Sequence, residues 1–288
     1  MDNTGQKELN SKRIITLKHR IAKIPFKIST SSMVLEEGLL ENVRYLADLF
    51  DHIEIVLFHT PELNNLPTGQ ELEELTEIAK QKKISYSVHL PTSLEIAAED
   101  EKRREESIQS AFEIITLMVE CRPRNYILHI PLTTPTLAFI PGGYFYEADQ
   151  DKFMDWTLRA MASLQSIQQM TGLGDGILVE NINYSPSFLE PLWSSNLCQL
   201  CLDLGHLMLG QENVLEILQK YAQGTPEIHL HGVKENHEHQ ALSVVPMRRV
   251  RRWVKYLDSI QYSGVVNFEV FTPDDLEASV GILCDAFN

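Results

Sequence analysis

From residue 25 onward, short runs rich in β-branched and other apolar residues alternate with longer stretches in which apolar residues recur every three or four positions. The short runs are typical of buried strands and predict eight of them, at residues 26–29, 53–58, 85–89, 126–129, 177–180, 200–203, 228–231 and 265–269. The longer stretches, such as the one that carries Leu72, Leu75, Ile78 and Ala79, are typical of amphipathic helices. Helices are therefore expected at residues 38–50, 69–81, 101–119, 151–170, 211–222, 247–260 and 273–287.

This alternation predicts an α/β fold with parallel strands, because neighbouring parallel strands need a crossover connection that a helix supplies. Eight strand–helix units in a row favour closure into a (β/α)₈ TIM barrel, with an open doubly wound sheet as the alternative. Residues 24–288 are expected to form this single catalytic domain. Residues 1–23 are polar and lack sustained periodicity, so they are expected to form an N-terminal tail.

Composition narrows the class of protein. The chain has 288 residues, of which 43% are hydrophobic and 23% charged, as in an ordinary globular protein. Its four cysteines are too few for a disulfide scaffold, and no apolar run approaches the ~18 residues of a membrane helix. We therefore expect a soluble, cytoplasmic protein without a membrane partner. The chain contains 25 Lys and Arg and 40 Asp and Glu, so its formal charge is −15. This acidic charge disfavours nucleic acid as a partner.

Metal-binding residue types stand at the ends of most predicted strands. The inward side chains of parallel barrel strands converge at their carboxyl ends, so these residues are expected to meet at one rim. Grouped carboxylates and imidazoles need a cation to balance and coordinate them. Mixed nitrogen and oxygen ligands suit Zn²⁺, Mn²⁺ or Fe²⁺, and their number allows one to three ions. The predicted ligands are His89, His129, Glu180, Asp203, His206, His229, His237, His239 and Glu269, while His231 is left outside the ligand set.

A long connection follows the fourth predicted strand, over residues 131–150, and it is rich in aromatic residues. Connections of this length in barrels are often binding loops, and aromatic residues argue against disorder. The alternative is a structural excursion that packs over the rim. The residues expected to contact a substrate are Phe139, Tyr144, Phe145 and Tyr146.

The residues at the strand ends resemble those of the xylose isomerase-like barrels. Glu180, Asp203, His229 and Glu269 match the four ligands that hold a single divalent ion in the sugar isomerases and epimerases of that family. Further histidines match the endonuclease IV branch, which binds three zinc ions: His89, His129, His206 and His239. His237 departs from that branch, which has Asp at this place, so the charge or occupancy of a third ion site is altered.

Four stretches resemble more narrowly the cobamide-remodelling hydrolases of the CbiR family, namely residues 179–184, 200–207, 228–232 and 267–271. This resemblance implies a metal-dependent phosphodiesterase that cleaves the nucleotide loop of cobamides such as adenosylcobalamin, so that the lower ligand can be exchanged. It implies a corrinoid as the small-molecule partner, and the cofactor expected from the ligands and the endonuclease IV resemblance is a divalent metal, zinc in the first place. Glu180 is then the catalytic, metal-bridging carboxylate, and Asn181 and Tyr184 join the substrate contacts.

Three other functions remain as alternatives. A sugar or sugar-phosphate isomerase or epimerase needs one divalent ion and has no use for His89, His129 and His239 as ligands. An endonuclease acting at abasic sites in DNA is disfavoured by the acidic charge. A non-catalytic binding module would have lost ligands, whereas the set here is nearly complete.

Overall fold

The computed structural model describes residues 15–132 and 150–287, together with the backbone of two short strands, Leu137–Phe139 and Phe145–Ala148. Eight parallel strands lie at its centre. They are β1 (Lys27–Thr30), β2 (His52–Val56), β3 (Ser85–His89), β4 (Tyr126–Leu128), β5 (Ile177–Glu180), β6 (Gln199–Asp203), β7 (Glu227–Leu230) and β8 (Val265–Phe268). The eight predicted strands are confirmed, with bounds that differ by at most two residues.

The strands follow one another around a nearly closed barrel in the order β1, β8, β7, β6, β5, β4, β3, β2. Where β1 and β2 meet, a single parallel bridge joins Ser31 to Glu54, and the N–H of Ser32 donates to the carbonyl oxygen of Glu54 at 2.8 Å. Closure in this way removes the exposed edges that an open sheet would have. The predicted (β/α)₈ barrel is therefore confirmed, and the open doubly wound sheet is wrong.

Helices connect the strands and cover the outside of the barrel. The longer helices bury apolar residues on one face, as Leu72 and Leu75 do in the second helix. That helix begins at a capping box between Thr68 and Glu71, and the third helix is capped by Asp100. The helices are α1 (Leu39–Leu46), α2 (Gly69–Lys82), α3 (Glu101–Met118), α4 (Gln150–Thr171), α5 (Glu190–Ser194), α6 (Leu204–Leu209), α7 (Val214–Tyr221), α8 (Met247–Ser259) and α9 (Pro273–Phe287).

The predicted N-terminal tail contains ordered residues in its described part. Residues 15–21 are helical, and Leu17 is buried in the main apolar core. The Cys284 thiol of α9 donates to the carbonyl oxygen of Arg20 at 3.2 Å. Residues 1–14 lie outside the described residues, so the boundary at residue 23 stays a prediction. Across the described part of the chain, no helix is both long and apolar enough to cross a membrane.

The inside of the barrel is apolar on one side and polar on the other. Ile127, Leu178 and Cys201 form a small buried cluster separate from the main core between sheet and helices. Polar side chains meet across the opposite half: the hydroxyl of Ser87 donates to Glu227 at 3.1 Å, and the amide of Asn267 donates to Glu54 at 3.0 Å. Because buried polar groups need partners, this half of the interior is a hydrogen-bonded network beneath the rim.

Candidate metal centre

The carboxyl ends of the strands bring the predicted ligands to one rim. His89, Glu180 and Asp203 are the last residues of β3, β5 and β6, and His229 lies within β7. The Asp203 carboxylate also accepts the backbone N–H of His206, which makes it the N-cap of α6. Capping by Asp203 therefore starts a helix immediately after β6 and places His206 in its first turn, beside the other ligands.

Glu180 lies at the centre of the group. Its Oε2 is 3.0 Å from Nε2 of His129, 3.3 Å from Nε2 of His89 and 3.3 Å from Nδ1 of His229. Its Oε1 is 3.2 Å from Nδ1 of His206. Two ligands of one zinc ion at ~2.1 Å are separated by about 3.0–3.4 Å in octahedral or tetrahedral geometry. The distances around Glu180 therefore fit atoms that share a cation.

A second set of contacts extends from Glu180 toward β7 and β8. Glu269 Oε1 is 3.2 Å from Nδ1 of His229, and Glu269 Oε2 is 3.8 Å from Nδ1 of His239. Asp203 Oδ2 is 3.3 Å from Nε2 of His231. The ligand atoms form overlapping groups within 4.8 Å of one another: His89, His129 and Glu180; Glu180, Asp203, His229 and Glu269; Asp203, His206 and His231; and His231, His239 and Glu269.

Buried polar atoms test whether a cation fits this centre. Among the described residues, Glu180 Oε1, Asp203 Oδ2, His229 Nδ1 and His231 Nε2 are buried without a hydrogen-bond partner. Such atoms are costly to bury unless something else satisfies them. Their nitrogen and carboxylate donors suit a divalent cation of the zinc, manganese or iron type. The residues therefore fit the implied metal.

The imidazoles keep the central carboxylates ionised. Burial alone would raise the pKa of Glu180, but His229 and His129 outweigh it and hold that pKa well below its usual range. Burial also opposes ionisation of Glu269, and here His229 lowers the pKa of the carboxyl below its ordinary value. Cys201 lies close to Glu180 and His229, but burial raises the pKa of its thiol well above the usual value. The centre therefore offers carboxylate and imidazole ligands, while the thiolate is disfavoured.

A cavity of about 250 Å³ opens onto these ligands. Its lining combines ligands such as His89, Glu180 and His206 with the apolar side chains of Met33, Val56, Phe58 and Phe271. The Phe271 ring lies 4.8 Å from the His239 ring, centroid to centroid, and is 40% exposed at the mouth of the cavity. The site therefore combines metal ligands with apolar and aromatic side chains in one cavity.

Two of the expected substrate contacts lie behind the ligands. The side chain of Asn181 bridges to the backbone of Asp203, donating to its carbonyl oxygen at 3.0 Å and accepting its N–H at 2.8 Å. Tyr184 is fully buried, and its hydroxyl donates to the carbonyl oxygen of Ile130 at 3.1 Å. Both residues thus tie neighbouring strand ends together, and their contact with a substrate stays a prediction.

The aromatic residues of the long connection are only partly covered by the structure. Phe139 lies in one short strand and Phe145 and Tyr146 in its antiparallel partner, and Phe139 pairs with Phe145. The side chains of these residues, and all of Tyr144, lie outside the described residues. Their role as substrate contacts stays a prediction.

His237 and His239 belong to a two-stranded extension after β7, formed by Gly232–Lys234 and His237–Gln240. His239 faces the centre, whereas His237 is exposed, with its Nδ1 3.0 Å from the carbonyl oxygen of Glu235. Glu238, between them, reaches inward to within 3.5 Å of Nε2 of His206. The structure therefore brings His239 to the other ligands and leaves His237 apart from these contacts.

His231 and Glu54 join the centre although neither was among the predicted ligands. His231 is fully buried beside Asp203, and its position two residues after His229, on the same face of a strand, is the signal for it. Glu54 on β2 lies 2.9 Å from Nε2 of His229. Its signal is a carboxylate between two isoleucines in the middle of the strand.

The sequence profile of the xylose isomerase-like TIM barrel family matches residues 43–285. The chain belongs to this family. Members of the family are enzymes and generally use a divalent metal. No curated protein matches the sequence.

Solved structures of the family superimpose over most of the chain. A D-tagatose 3-epimerase-like protein matches with a TM-score of 0.72 and 20% identity, covering 91% of this chain and 97% of its own. The 3-keto-D-glucoside 4-epimerase YcjR from E. coli has a TM-score of 0.67 and 16% identity, with 92% and 99% covered. Endonuclease IV from Thermus thermophilus has a TM-score of 0.62 and 15% identity, with 91% and 98% covered. At these identities the likeness concerns the fold.

Proposed function

We propose that this chain is a metal-dependent phosphodiesterase that cleaves the nucleotide loop of cobamides such as adenosylcobalamin, so that the lower ligand can be exchanged. The observation that carries the proposal is the group of His89, His129 and Glu180, which adjoins the four-residue group at their shared member, Glu180. Two adjacent cation sites are the arrangement that stabilises both the attacking and the leaving oxygen of a phosphodiester. One-ion isomerase chemistry leaves His89 and His129 without a function.

The chain's own residues have distinct roles in this reaction. Bound divalent cations, most suitably zinc, would polarise a phosphoryl oxygen and lower the pKa of a nearby water. Glu180 lies between the two groups, and its lowered pKa keeps the carboxylate ionised and able to orient that water. The remaining ligands hold the cations, and Asn181 fixes the backbone of Asp203 beside them. Water would add to phosphorus while the bond between phosphorus and the ribose oxygen breaks, so that the phosphate stays on the cobinamide and the departing ribose oxygen takes up the proton.

The cavity constrains how a cobamide would bind. A volume of about 250 Å³ accommodates a phosphodiester with an adjoining ring but is small for a whole corrinoid. We infer that the corrin ring stays outside, at the rim, while the phosphate meets the metal ligands. Phe58 and Phe271 supply an apolar wall for the flat lower ligand. Under this proposal the partner is a small molecule, and the protein acts in the cytoplasm. It has neither a nucleic acid nor a membrane as a partner.

A sugar isomerase or epimerase with one divalent ion is the second candidate. It is favoured by the intact four-residue group, Glu180, Asp203, His229 and Glu269. The two functions differ in their need for His129, whose Nε2 is 3.0 Å from Glu180. His129→Gln should abolish phosphodiester hydrolysis but leave one-ion chemistry. An abasic-site endonuclease is less favoured because the chain carries a formal charge of −15.

The proposal is tested by incubating the zinc-loaded protein with adenosylcobalamin and separating the products by chromatography, alongside elemental analysis. We expect two or more zinc ions per chain and a phosphorylated cobinamide. Parallel incubations contain a ketohexose and a DNA duplex with one abasic site. One ion per chain, an intact corrinoid and an epimerised sugar would instead establish the isomerase, and a nicked duplex would establish the endonuclease.

Glu180→Gln is the first variant to measure. Because the amide cannot carry the charge that the surrounding imidazoles stabilise, we expect kcat to fall by about 10³-fold or more. The barrel should remain folded, since the substitution keeps the volume of the side chain. His59→Gln is the matched control, because His59 is exposed and lies just past β2. Full activity of Glu180→Gln would remove Glu180 from the mechanism.

A further inference from the structure

A carboxylate inside the barrel lies directly beneath one of the metal ligands. Glu54 on β2 places Oε2 2.9 Å from Nε2 of His229 on β7, and both side chains are fully buried. Among the described residues, neither of these two atoms has a hydrogen-bond partner, so the 2.9 Å approach between them is the contact that each has available. Each is therefore the natural partner of the other, although strand β2 carries none of the predicted ligands.

The opposite side of the His229 ring faces the centre. Its Nδ1 lies 3.3 Å from Glu180 Oε2 and 3.2 Å from Glu269 Oε1, the two carboxylates that share the four-residue group with it. A neutral imidazole carries one proton, so Nδ1 can offer its lone pair to a cation only when the proton sits on Nε2. A carboxylate beside Nε2 favours that tautomer.

Glu54 is itself held in place from a third strand. The side-chain amide of Asn267 on β8 donates to Glu54 Oε1 at 3.0 Å, and both residues are fully buried. Asn267 is two residues before the ligand Glu269, so the two share one face of β8. Strand β8 thus carries the anchor for Glu54, and the residue directly after the strand is a ligand at the rim.

We propose that Glu54 is a positioning residue that accepts the Nε2 proton of His229 and so fixes the tautomer and the orientation of that ring. The inference rests on the proposed binding of a cation at this centre, and it is independent of the substrate. Carboxylate partners of metal-bound histidines typically change metal affinity by about 10–100-fold when removed. Glu54 therefore acts on the metal through His229 without touching it.

A second buried carboxylate provides the matched control. Glu227 lies on β7, is as fully buried as Glu54, and accepts a hydrogen bond from the Ser87 hydroxyl at 3.1 Å. If a buried carboxylate inside the barrel served only to hold the strands together, Glu54 and Glu227 would be equivalent. If Glu54 positions His229, only the substitution of Glu54 changes the metal site.

The experiment measures zinc affinity of the full chain by competition with a chelator, without any corrinoid. Glu54→Met removes the acceptor and keeps the volume, and we expect zinc at the tightest site to bind about 10–100-fold more weakly. Glu54→Gln retains an acceptor oxygen and should recover part of the affinity. Glu227→Gln should bind zinc as the unmodified chain does. Equal zinc affinity in the Glu54 and Glu227 variants would overturn the proposal.

A spectroscopic measurement separates positioning from a structural role. In the zinc-loaded chain, the nitrogen-15 shift of His229 Nε2 should show a proton hydrogen-bonded to a carboxylate, and Glu54→Met should lose that signature even where zinc still holds the tautomer. If Glu54→Met does not fold, the same two measurements are made on Glu54→Gln. Unchanged nitrogen-15 shifts and unchanged zinc affinity in that variant would overturn the role of Glu54. Because neither readout involves a cobamide, a failure to hydrolyse cobamides leaves this test intact.

Discussion

His231 owes its place to the absence of a side chain at Gly205. A Cβ at Gly205 would lie 2.0 Å from Cε1 and 2.1 Å from Nε2 of the His231 ring. The backbone at the start of α6 can therefore pack directly against the His231 ring only because residue 205 has no side chain. This close approach keeps Nε2 of His231 at 3.3 Å from Asp203 Oδ2.

Gly205→Ala should displace the His231 ring. We expect the free energy of unfolding to fall by about 1–3 kcal/mol, as for overpacked sites, and zinc affinity to fall with it. Thermal unfolding and zinc competition measure the two effects. Gly224→Ala is the control, because a Cβ at Gly224 meets nothing within 4 Å. Unchanged zinc affinity in Gly205→Ala would mean that His231 contributes nothing to the metal centre.

His237 and His239 provide a second comparison at the scale of single residues. His239 Nδ1 lies 3.8 Å from Glu269 Oε2, whereas His237 is exposed. We expect His239→Ala to lower the zinc content or affinity of the chain and His237→Ala to leave both unchanged. Elemental analysis after dialysis measures this difference. A loss of zinc in His237→Ala would support the prediction from sequence that His237 is a ligand.

Sequence could predict ligands that end strands but not those fixed by the packing of other elements. Glu180 and Asp203 could be predicted as ligands because each is a charged residue that ends an apolar run. The role of Glu54 could not be predicted, since it depends on the contact that His229 makes with it across the barrel. His237 follows a turn whose geometry decides which of its neighbours face inward, and strand periodicity does not extend through such a turn.

At the scale of elements, β2 begins with a histidine buried among hydroxyl groups. The ring nitrogens of His52 lie 2.7 Å from the Ser85 hydroxyl and 3.1 Å from the Ser87 hydroxyl. Burial lowers the pKa of His52 to about 3, and the positive charges of Lys27 and Arg124 act in the same direction. The native barrel therefore holds this ring neutral at pH values where the unfolded chain protonates it.

His52 should make the barrel sensitive to acid. As pH falls below the ordinary histidine pKa of ~6.5, the unfolded chain takes up a proton that the folded chain refuses, so stability declines until about pH 3. The full loss from this one group is on the order of 5 kcal/mol.

His52→Gln should remove that part of the decline. The variant is expected to lose less stability than the unmodified chain between pH 7 and pH 4. Urea unfolding in the presence of a chelator, at several pH values, measures the slope without interference from metal. Parallel stability curves for the two proteins would show that His52 does not titrate as its burial implies.

Strands and long helices could be predicted because their periodicity spans enough residues to be recognised. The short elements could not. Helix α6 has only six residues, Leu204–Leu209, and forms because Asp203 caps it. The strand pair Gly232–Lys234 and His237–Gln240 was likewise missed, since three or four residues carry too little pattern. These two elements carry His206 and His239, so the sequence could suggest these ligands but not their geometry.

At the scale of the molecule, the fold follows from the alternation of elements, but the reaction does not. Structures with similar barrels include epimerases and an endonuclease, at 20% identity or less. A shared barrel is compatible with several chemistries, because function depends on the side chains at its rim. The additional histidines around Glu180 are therefore what separates the proposed hydrolase from an epimerase.

The buried charges also couple the metal to the stability of the whole barrel. Glu54, Glu180, Asp203 and Glu269 are all buried in and around the mouth of the barrel. Ionised carboxylates so close together destabilise the folded state unless imidazoles and cations compensate for them. The folded chain should bind zinc far more tightly than the unfolded chain, which scatters these ligands.

Removal of metal should therefore lower the melting temperature. With free zinc a thousandfold above Kd, stabilisation is about 4 kcal/mol, which corresponds to a rise in Tm on the order of 10 °C for a chain of this size. Calorimetry with added zinc and with a chelator measures the difference. In Glu180→Gln the zinc-dependent rise should shrink, because Glu180 is shared by the His89–His129 group and the four-residue group. An identical Tm with zinc and with chelator would mean that ion pairs among its own residues hold the rim together. The assignment of these residues as a metal centre would then be wrong.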